Sequence, residues 1–242
     1  MPVPTAAIVV IGDEILSGKF REDNAAWLLG ELRELGVALR RIQVIPDEID
    51  DIRDTVRADA ARFDHVFTSG GVGPTHDDVT IAGVARAFDV PVVRHPELEA
   101  QLHAYYGAAV LPAHLRMAEV PEGARLIAAD HPSWPVTSVR NVYVLPGVPV
   151  IFRKKFSAIR ERFRAQPFHL RRLYCMTDEG AIAADLDAVV AAYPGVAVGS
   201  YPRFEASDYR VIVTLESKEA ALLDSAANAL ADRLGARVVR RE

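Results

Sequence analysis

The residues with the greatest chemical capacity lie in one run, Thr68-Ser69-Gly70-Gly71-Val72-Gly73-Pro74-Thr75-His76-Asp77-Asp78-Val79-Thr80. Asp64-His65-Val66-Phe67 before it reads as a buried strand, and Ile81 to Phe88 after it has helical spacing. A glycine-rich turn between a strand and a helix lets backbone N–H groups reach an anion with no Cβ in the way. The helix N-terminus adds partial positive charge. Asp77 and Asp78 would repel a bare phosphate, so the pair points to a divalent cation between the carboxylates and a phosphorylated ligand. The plainer alternative is a tight turn in which Asp77 or Asp78 caps the next helix.

Three strands must position this chemistry. Ala6-Ala7-Ile8-Val9-Val10-Ile11 is a continuous β-branched run, as expected of a strand covered on both faces, and it ends at Gly12-Asp13-Glu14-Ile15-Leu16. Asn24, a plausible cap, precedes a helix from Ala25 to Gly36. Val37 to Ile45 forms a second strand, and Pro46-Asp47-Glu48 opens a helix reaching about Phe63. The ends of the three strands thus carry Asp13, Asp47 and the Asp77/Asp78 pair. In a parallel sheet those ends share one edge, where open α/β folds take their ligands. Each acid taken alone is equally an ordinary polar turn residue.

Farther along, 96–106 reads as helical and Pro121-Glu122-Gly123 as a turn, and Val136 to Leu145 reads as a strand or hairpin. Pro146-Gly147-Val148-Pro149 then enters a helix over Val150 to Phe163 and either closes over a ligand or is punctuation. The basic run Arg153, Lys154, Lys155, Arg160, Arg162, Arg164, Arg171 and Arg172 predicts a solvated helix face and linker, with a phosphate or partner surface as the alternative. From about Phe168 the pattern becomes βαββαβ, which fits a small ferredoxin-like sandwich. The expected division is an α/β domain over 1–166 and a small α+β subdomain over 167–242. The turn Gly199 to Arg203 is a structural turn or one that reaches the first domain's site.

Composition bounds the function classes. The 242 residues are 50% hydrophobic and 25% charged, enough for a large globular core. A net charge of −5 supplies no global positive field, which argues against nucleic-acid or membrane-surface binding. Cys175 is the single cysteine, so an intramolecular disulfide and a cysteine-based zinc cluster are excluded, and its apolar surroundings make it a core residue. The N-terminus lacks the features of a signal peptide and the apolar runs are too short to span a bilayer, so the expectation is a soluble, cytoplasmic protein.

With Gly12 to Leu16, Asp23-Asn24, Thr68 to Thr80 and Leu145 to Pro149 in this order, the chain resembles the molybdopterin-binding-like superfamily. Within it, the resemblance is to the CinA (competence/damage-inducible) N-terminal domain and the N-terminal domain of eukaryotic FAD synthases. Val136 to Tyr143 and Gly199-Ser200-Tyr201-Pro202 look like the FAD-synthase version. The resemblance implies a three-layer, mostly parallel α/β fold. It also implies that Ser69, Gly70, Gly71 and Gly73 hold phosphate, with Gly12, Asn24, Thr68, Pro74, Thr75, Gly147 and Pro149 completing the ligand site. Asp47 and Asp78 match the family's acidic positions, with Asp77 an added neighbour, and these three are the candidate catalytic residues. Asp13, Glu14, Asp47 and Asp78 are the candidate metal ligands, for magnesium, manganese or cobalt.

This branch is associated with metal-dependent cleavage of the pyrophosphate of FAD or ADP-ribose. The alternatives are a molybdopterin-binding or adenylylating protein of molybdenum cofactor synthesis, with molybdopterin as ligand, and a non-catalytic nucleotide-binding module. The expected partner is a nucleotide or pterin small molecule, and relatives form homo-oligomers. The chain has room for neither a nicotinamide mononucleotide deamidase domain nor an adenylyltransferase domain, so the expectation is that it does not make FAD by itself. His76 is expected to be peripheral.

Overall fold

The computed structural model describes residues 3–127, 134–204 and 208–242. They form two compact units, Met1–Ala165 and Gln166–Glu242. In chain order the first unit runs β1 (Thr5–Ile11), α1 (Asp13–Leu16), α2 (Asn24–Glu34), β2 (Ala38–Ile45), α3 (Ile49–Arg62), β3 (His65–Ser69) and α4 (Thr80–Ala87). It continues through β4 (Val92–Arg94), α5 (Pro96–Tyr106), α6 (Pro112–Arg116), β5 (Glu119–Pro121), β6 (Arg125–Ile127), β7 (Val136–Val139), β8 (Val142–Leu145) and α7 (Pro149–Ile159).

The principal sheet has the order β2-β1-β3-β8-β7-β6. β1 pairs in parallel with both β2 and β3, and β3 pairs in parallel with β8; β7 is antiparallel to its two neighbours. The continuous apolar run of β1 follows from helices covering both faces of the sheet. Ile8 and Val10 pack with Leu28, Leu32, Phe152 and Phe156 on one face, while Ala7, Val9 and Ile11 pack with Ile52, Val56 and Val84 on the other. The β7–β8 hairpin turns at Arg140, whose φ is 53°. Asn141 Nδ2 fixes that turn by donating to the carbonyls of Ala60 and Phe63 at 3.0 and 2.8 Å. α5 and α6 join the β4–β5 ribbon around a satellite core of Leu98, Leu102, Ala118 and Val120.

β3 runs two residues past the expected Phe67. Thr68 and Ser69 pair with Val9 and Val10 of β1 and with Val144 and Leu145 of β8, so the glycine turn begins only at the sheet edge.

The second unit consists of β9 (His169–Cys175), α8 (Ala183–Ala192), β10 (Ala197–Pro202), β11 (Val211–Ser217), α9 (Ala220–Leu234) and β12 (Val238–Arg241). Its sheet has the order β10-β11-β9-β12 with every neighbour antiparallel, the ferredoxin-like arrangement expected of βαββαβ. Cys175 is fully buried among Leu173, Val213, Leu223 and Leu230, and burial pushes its thiol pKa up. No helix among the described residues is long and apolar enough to cross a membrane.

Candidate functional site

The carboxyl ends of β1, β2, β3 and β8 open into a cleft of about 1970 Å³ within the first unit. Its wall at that edge includes Asn24, Asp47, Ser69, Gly70, Gly71 and Gly147.

The turn after β3 has a shape that only glycine permits at two positions. Gly70 has φ 110°, and a Cβ there would collide with the carbonyl oxygen of Ile11. Gly71 has φ 62°, and a Cβ there would strike the Thr80 hydroxyl and lie 3.5 Å from Asp47 Oδ1. The chain therefore turns tightly against the end of β1, with its backbone beside the Asp47 carboxylate.

In the helix following the motif, Thr80 N donates to the Gly71 carbonyl at 3.0 Å and Thr80 Oγ1 to the Gly70 carbonyl at 2.8 Å, so the first residue of α4 fixes the turn, while Ile81 and Ala82 of the same helix end line the cleft. Two further helix N-termini lie beside the turn. α2 begins at Asn24 and α7 at Pro149, and Asn24 Nδ2 ties both to the turn by donating to Ser69 Oγ at 2.9 Å and to the Gly147 carbonyl at 2.7 Å. Asn24 is therefore not the cap expected from the sequence: Asp23 precedes the helix, and Glu22 accepts the Ala25 N–H at 2.8 Å. Gly147 is packed so closely that a Cβ on it would lie 3.3 Å from the Gly70 Cα, and Pro146 to Pro149 forms part of the cleft wall. Helix N-termini converging on one turn favour a negative ligand.

The carboxylates are arranged unequally. Asp47 Oδ2 accepts the backbone N–H of Asp13 at 2.9 Å. Burial raises the Asp47 pKa, opposed by that N–H and reinforced by the charges of Glu14, Asp13 and Asp77. Asp77 lines the cleft, and the polar Thr75 side chain nearby, together with the backbone N–H of Asp77 itself, holds its pKa below the ordinary carboxylate range. Asp78 also lines the cleft, but its Oδ2 accepts Thr75 N at 2.8 Å and Thr75 Oγ1 at 2.5 Å, closing the loop on itself; it does not cap α4.

Among the described residues no three His, Cys, Asp or Glu side chains gather in a way that could hold a metal ion. The expected set Asp13, Glu14, Asp47 and Asp78 is thus not an assembled cage. Asp78 is turned onto Thr75, the Glu14 carboxylate lies over Gly12, and Asp13 meets Asp47 through its backbone. A smaller demand is met: magnesium usually takes one or two carboxylates and completes its shell with phosphate oxygens and water. Asp47 beside Gly71, in a field made negative by its neighbours, fits that demand.

Of the other expected ligand residues, Gly73 and Pro149 line the cleft with Ser69, Gly70, Gly71, Gly147 and Asn24. Thr68 does not: it is fully buried within β3, and its hydroxyl has no hydrogen-bond partner among the described residues. Gly12, Asp13, Pro74 and Thr75 also lie off the wall. Gly12 N donates to the Ile45 carbonyl at 3.1 Å, and the Pro74 carbonyl accepts from Arg116 at 3.4 Å. His76 is exposed, as expected.

Sequence reasoning missed Lys155. Expected on a solvated face, it lines the cleft and its Nζ donates to the carbonyls of Trp134 and Pro135, both at 2.8 Å. Burial lowers its pKa to about 8. The available signal was helical spacing, because Val148, Ile151 and Lys155 recur at intervals of three and four, and all three face the cleft. Phe20, Tyr105, Tyr106 and Trp134 add an aromatic lining that the sequence did not single out.

Residues 7–165 match the family described as probable molybdopterin binding domain, and residues 167–242 match the family described as FAD synthase, middle domain. A probable FAD synthase of Caenorhabditis elegans is 31% identical over 97% of this chain and 51% of its own length, so the chain spans about half of that relative. A protein of Archaeoglobus fulgidus is 36% identical over 81% of this chain and 85% of its own length. Among solved structures, the CinA protein of unknown function from Thermoplasma acidophilum is 31% identical, with a TM-score of 0.61 over 66% of this chain and 98% of that one.

Proposed function

The chain belongs to the probable molybdopterin binding domain family, and from that premise we propose that its cleft is the active site of a divalent-metal-dependent hydrolase cleaving the pyrophosphate of FAD or ADP-ribose. One observation carries the reading: a glycine turn tied by Asn24 to two helix N-termini lies against Asp47 at the edge of a parallel sheet. Such a site combines donors for phosphate oxygens with a carboxylate beside them. The name of the nematode relative supports an FAD-type ligand.

In this reading the N–H groups of the turn beyond Gly70, whose own N–H donates to the Leu145 carbonyl, and the Ser69 hydroxyl receive one phosphate, with the helix N-termini beside the turn offsetting its charge. Asp47 would hold the cation jointly with the ligand's phosphate oxygens. When bound, the cation supplies neutralisation of the charge that develops on the leaving phosphate. Asp77, kept ionised and facing the cleft, would orient the attacking water. Asp78 would act by holding the loop that carries Asp77. Water adds across the P–O–P linkage, giving AMP with FMN from FAD, or AMP with ribose 5-phosphate from ADP-ribose. The cleft's volume exceeds the roughly 300–1,000 Å³ of an ordinary ligand pocket, which suits a dinucleotide.

The test is incubation of the purified chain with FAD and ADP-ribose across magnesium, manganese and cobalt, with AMP release as the readout. No AMP under any metal overturns the proposal. A second reading, nucleotide or pterin binding without turnover, is favoured by the lack of a three-carboxylate cluster among the described residues. Tight binding of FAD or molybdopterin with no AMP release would establish it. Assembly into a homo-oligomer is proposed from the family resemblance alone, and sedimentation would measure it.

A further inference from the structure

Lys155 is out of place as a structural lysine. Its stem lies in the cleft wall and its ammonium is buried, yet among the described residues no carboxylate pairs with it; two carbonyls, of Trp134 and Pro135, take two of its three N–H bonds. A buried cation held only by neutral acceptors is costly unless something else uses it. Its position is also specific. The two carbonyls that hold the ammonium lie just before β7, and in the sheet order β3-β8-β7 that strand is two places across from the one that ends in the glycine turn, roughly 10 Å at about 4.8 Å per strand. A group meeting the ammonium is therefore a different part of the ligand from a phosphate on the turn. Val148, just before α7, and Ile151 on it line the same cleft, which also carries Phe20, Tyr105 and Trp134, surfaces suited to a flat ring.

We propose that Lys155 is a specificity-determining residue that donates its remaining N–H to a ring-carbonyl oxygen at the end of the ligand remote from adenine, so that the cleft selects a carbonyl-bearing flavin or pterin ring over a bare ribose. Adenine and ribose 5-phosphate offer no ring carbonyl; an isoalloxazine or pterin ring does. In an apolar wall, an ammonium donor discriminates strongly between ligands that have the acceptor and ligands that lack it. The proposal rests on the dinucleotide reading of the same cleft.

The test compares equilibrium binding of FAD and of ADP-ribose, with divalent metal present, to the full chain with its own Lys155 and to Lys155→Met, which keeps the length of the stem, both carrying Asp77→Ala so that neither ligand is cleaved during the measurement. The expected result is FAD binding weakened about tenfold or more, the scale of one lost charge-assisted hydrogen bond, with ADP-ribose affinity changed by less than about twofold. Equal FAD affinity in the two proteins, or the same loss for both ligands, overturns the role of Lys155 while leaving the dinucleotide reading standing. Failure of the chain that keeps Lys155 to bind either ligand overturns both. A second measurement does not depend on the variant's folding. The chain has four lysines, Lys19, Lys154, Lys155 and Lys218, so isotope-labelled lysine side chains give four resolvable NMR signals. Saturating FAD should move the Lys155 signal and saturating ADP-ribose should not; a Lys155 signal unmoved by bound FAD overturns the proposal.

Discussion

Gly70 and Ile11 approach so closely that any side chain at Gly70 would collide with the Ile11 carbonyl oxygen, and the φ of 110° at Gly70 disfavours an L side chain on separate grounds. The end of β1 is therefore the mould for the glycine turn. Gly70→Ala should destabilise the first unit by about 3 kcal/mol or more, combining overpacking with backbone strain. Denaturant unfolding measures it, and a loss under about 1 kcal/mol would show that the turn relaxes freely.

Asn24 joins three segments through one amide, and its Oδ1 is buried with no partner among the described residues. Asn24→Ala should cost about 1–3 kcal/mol of stability, the range for a buried polar group left unmatched. Asn24→Asp should cost more stability than Asn24→Ala, because a carboxylate cannot donate to the Gly147 carbonyl and is buried without a cation, and it should also weaken ligand binding by placing negative charge beside the turn. Titration with ADP-ribose after matching the two variants for folded fraction separates the effects. Equal affinities would remove Asn24 from the ligand site.

The frame of the site was legible in the sequence because burial on both faces of β1 leaves an unbroken apolar run, and parallel strands put their polar ends on one edge. The acids Asp47, Asp77 and Asp78 were therefore found together on the wall. Their individual tasks were hidden, since Asp78 bonding back to Thr75 and Thr80 bonding to the turn depend on side-chain directions set by a loop without periodicity. Asn24 looked like a cap because a polar residue before an apolar helix usually is one; its partners, Ser69 and Gly147, lie 45 and 123 residues away. Lys155 was masked by its basic neighbours. Its ammonium is met by the carbonyls of Trp134 and Pro135, about 20 residues earlier in the chain, a contact that helical spacing does not show.

Asp47 is expected to be needed for turnover and unfavourable for folding. Its carboxylate is partly desolvated and repelled by Glu14, Asp13 and Asp77, which together raise its pKa despite the hydrogen bond from Asp13. A raised pKa means that the wild type loses stability as the pH climbs through that value, whereas Asp47→Asn has no such loss and keeps an acceptor for Asp13 N. The variant should therefore lack AMP-releasing activity and have a Tm at neutral pH no lower than wild type, the difference shrinking as the solution is acidified. A variant that is both active and less stable would contradict the assignment.

Asp78 and Thr75 form a local pair, and the two can be separated by comparing substitutions. If Asp78 acts by shaping the loop, Thr75→Val should reproduce part of the loss caused by Asp78→Ala, because it removes the hydroxyl but leaves the Thr75 N–H to its acceptor. The expected order of kcat is wild type, then Thr75→Val, then Asp78→Ala, with both variants folded by circular dichroism. Full activity in Thr75→Val alongside none in Asp78→Ala would assign Asp78 to the reacting atoms instead.

Lys155 should leave a signature in the pH dependence of stability. Burial holds its folded pKa at about 8, against 10.5 for a free lysine side chain. Between those values the unfolded chain holds the proton that the folded chain has released, so the unfolded state binds more protons and stability must rise with pH. Below about pH 8 both states are protonated and the cost of burying the ammonium is carried in full. Relative to Lys155→Met, the wild-type unfolding free energy should therefore be flat from pH 6 to 7 and then climb between about 8 and 10.5, with a slope of at most about 1.4 kcal/mol per pH unit. Urea unfolding of the two proteins at matched pH values measures the difference directly. A flat difference across that window would place the lysine in solvent, and a downward slope would require a buried carboxylate partner for its ammonium.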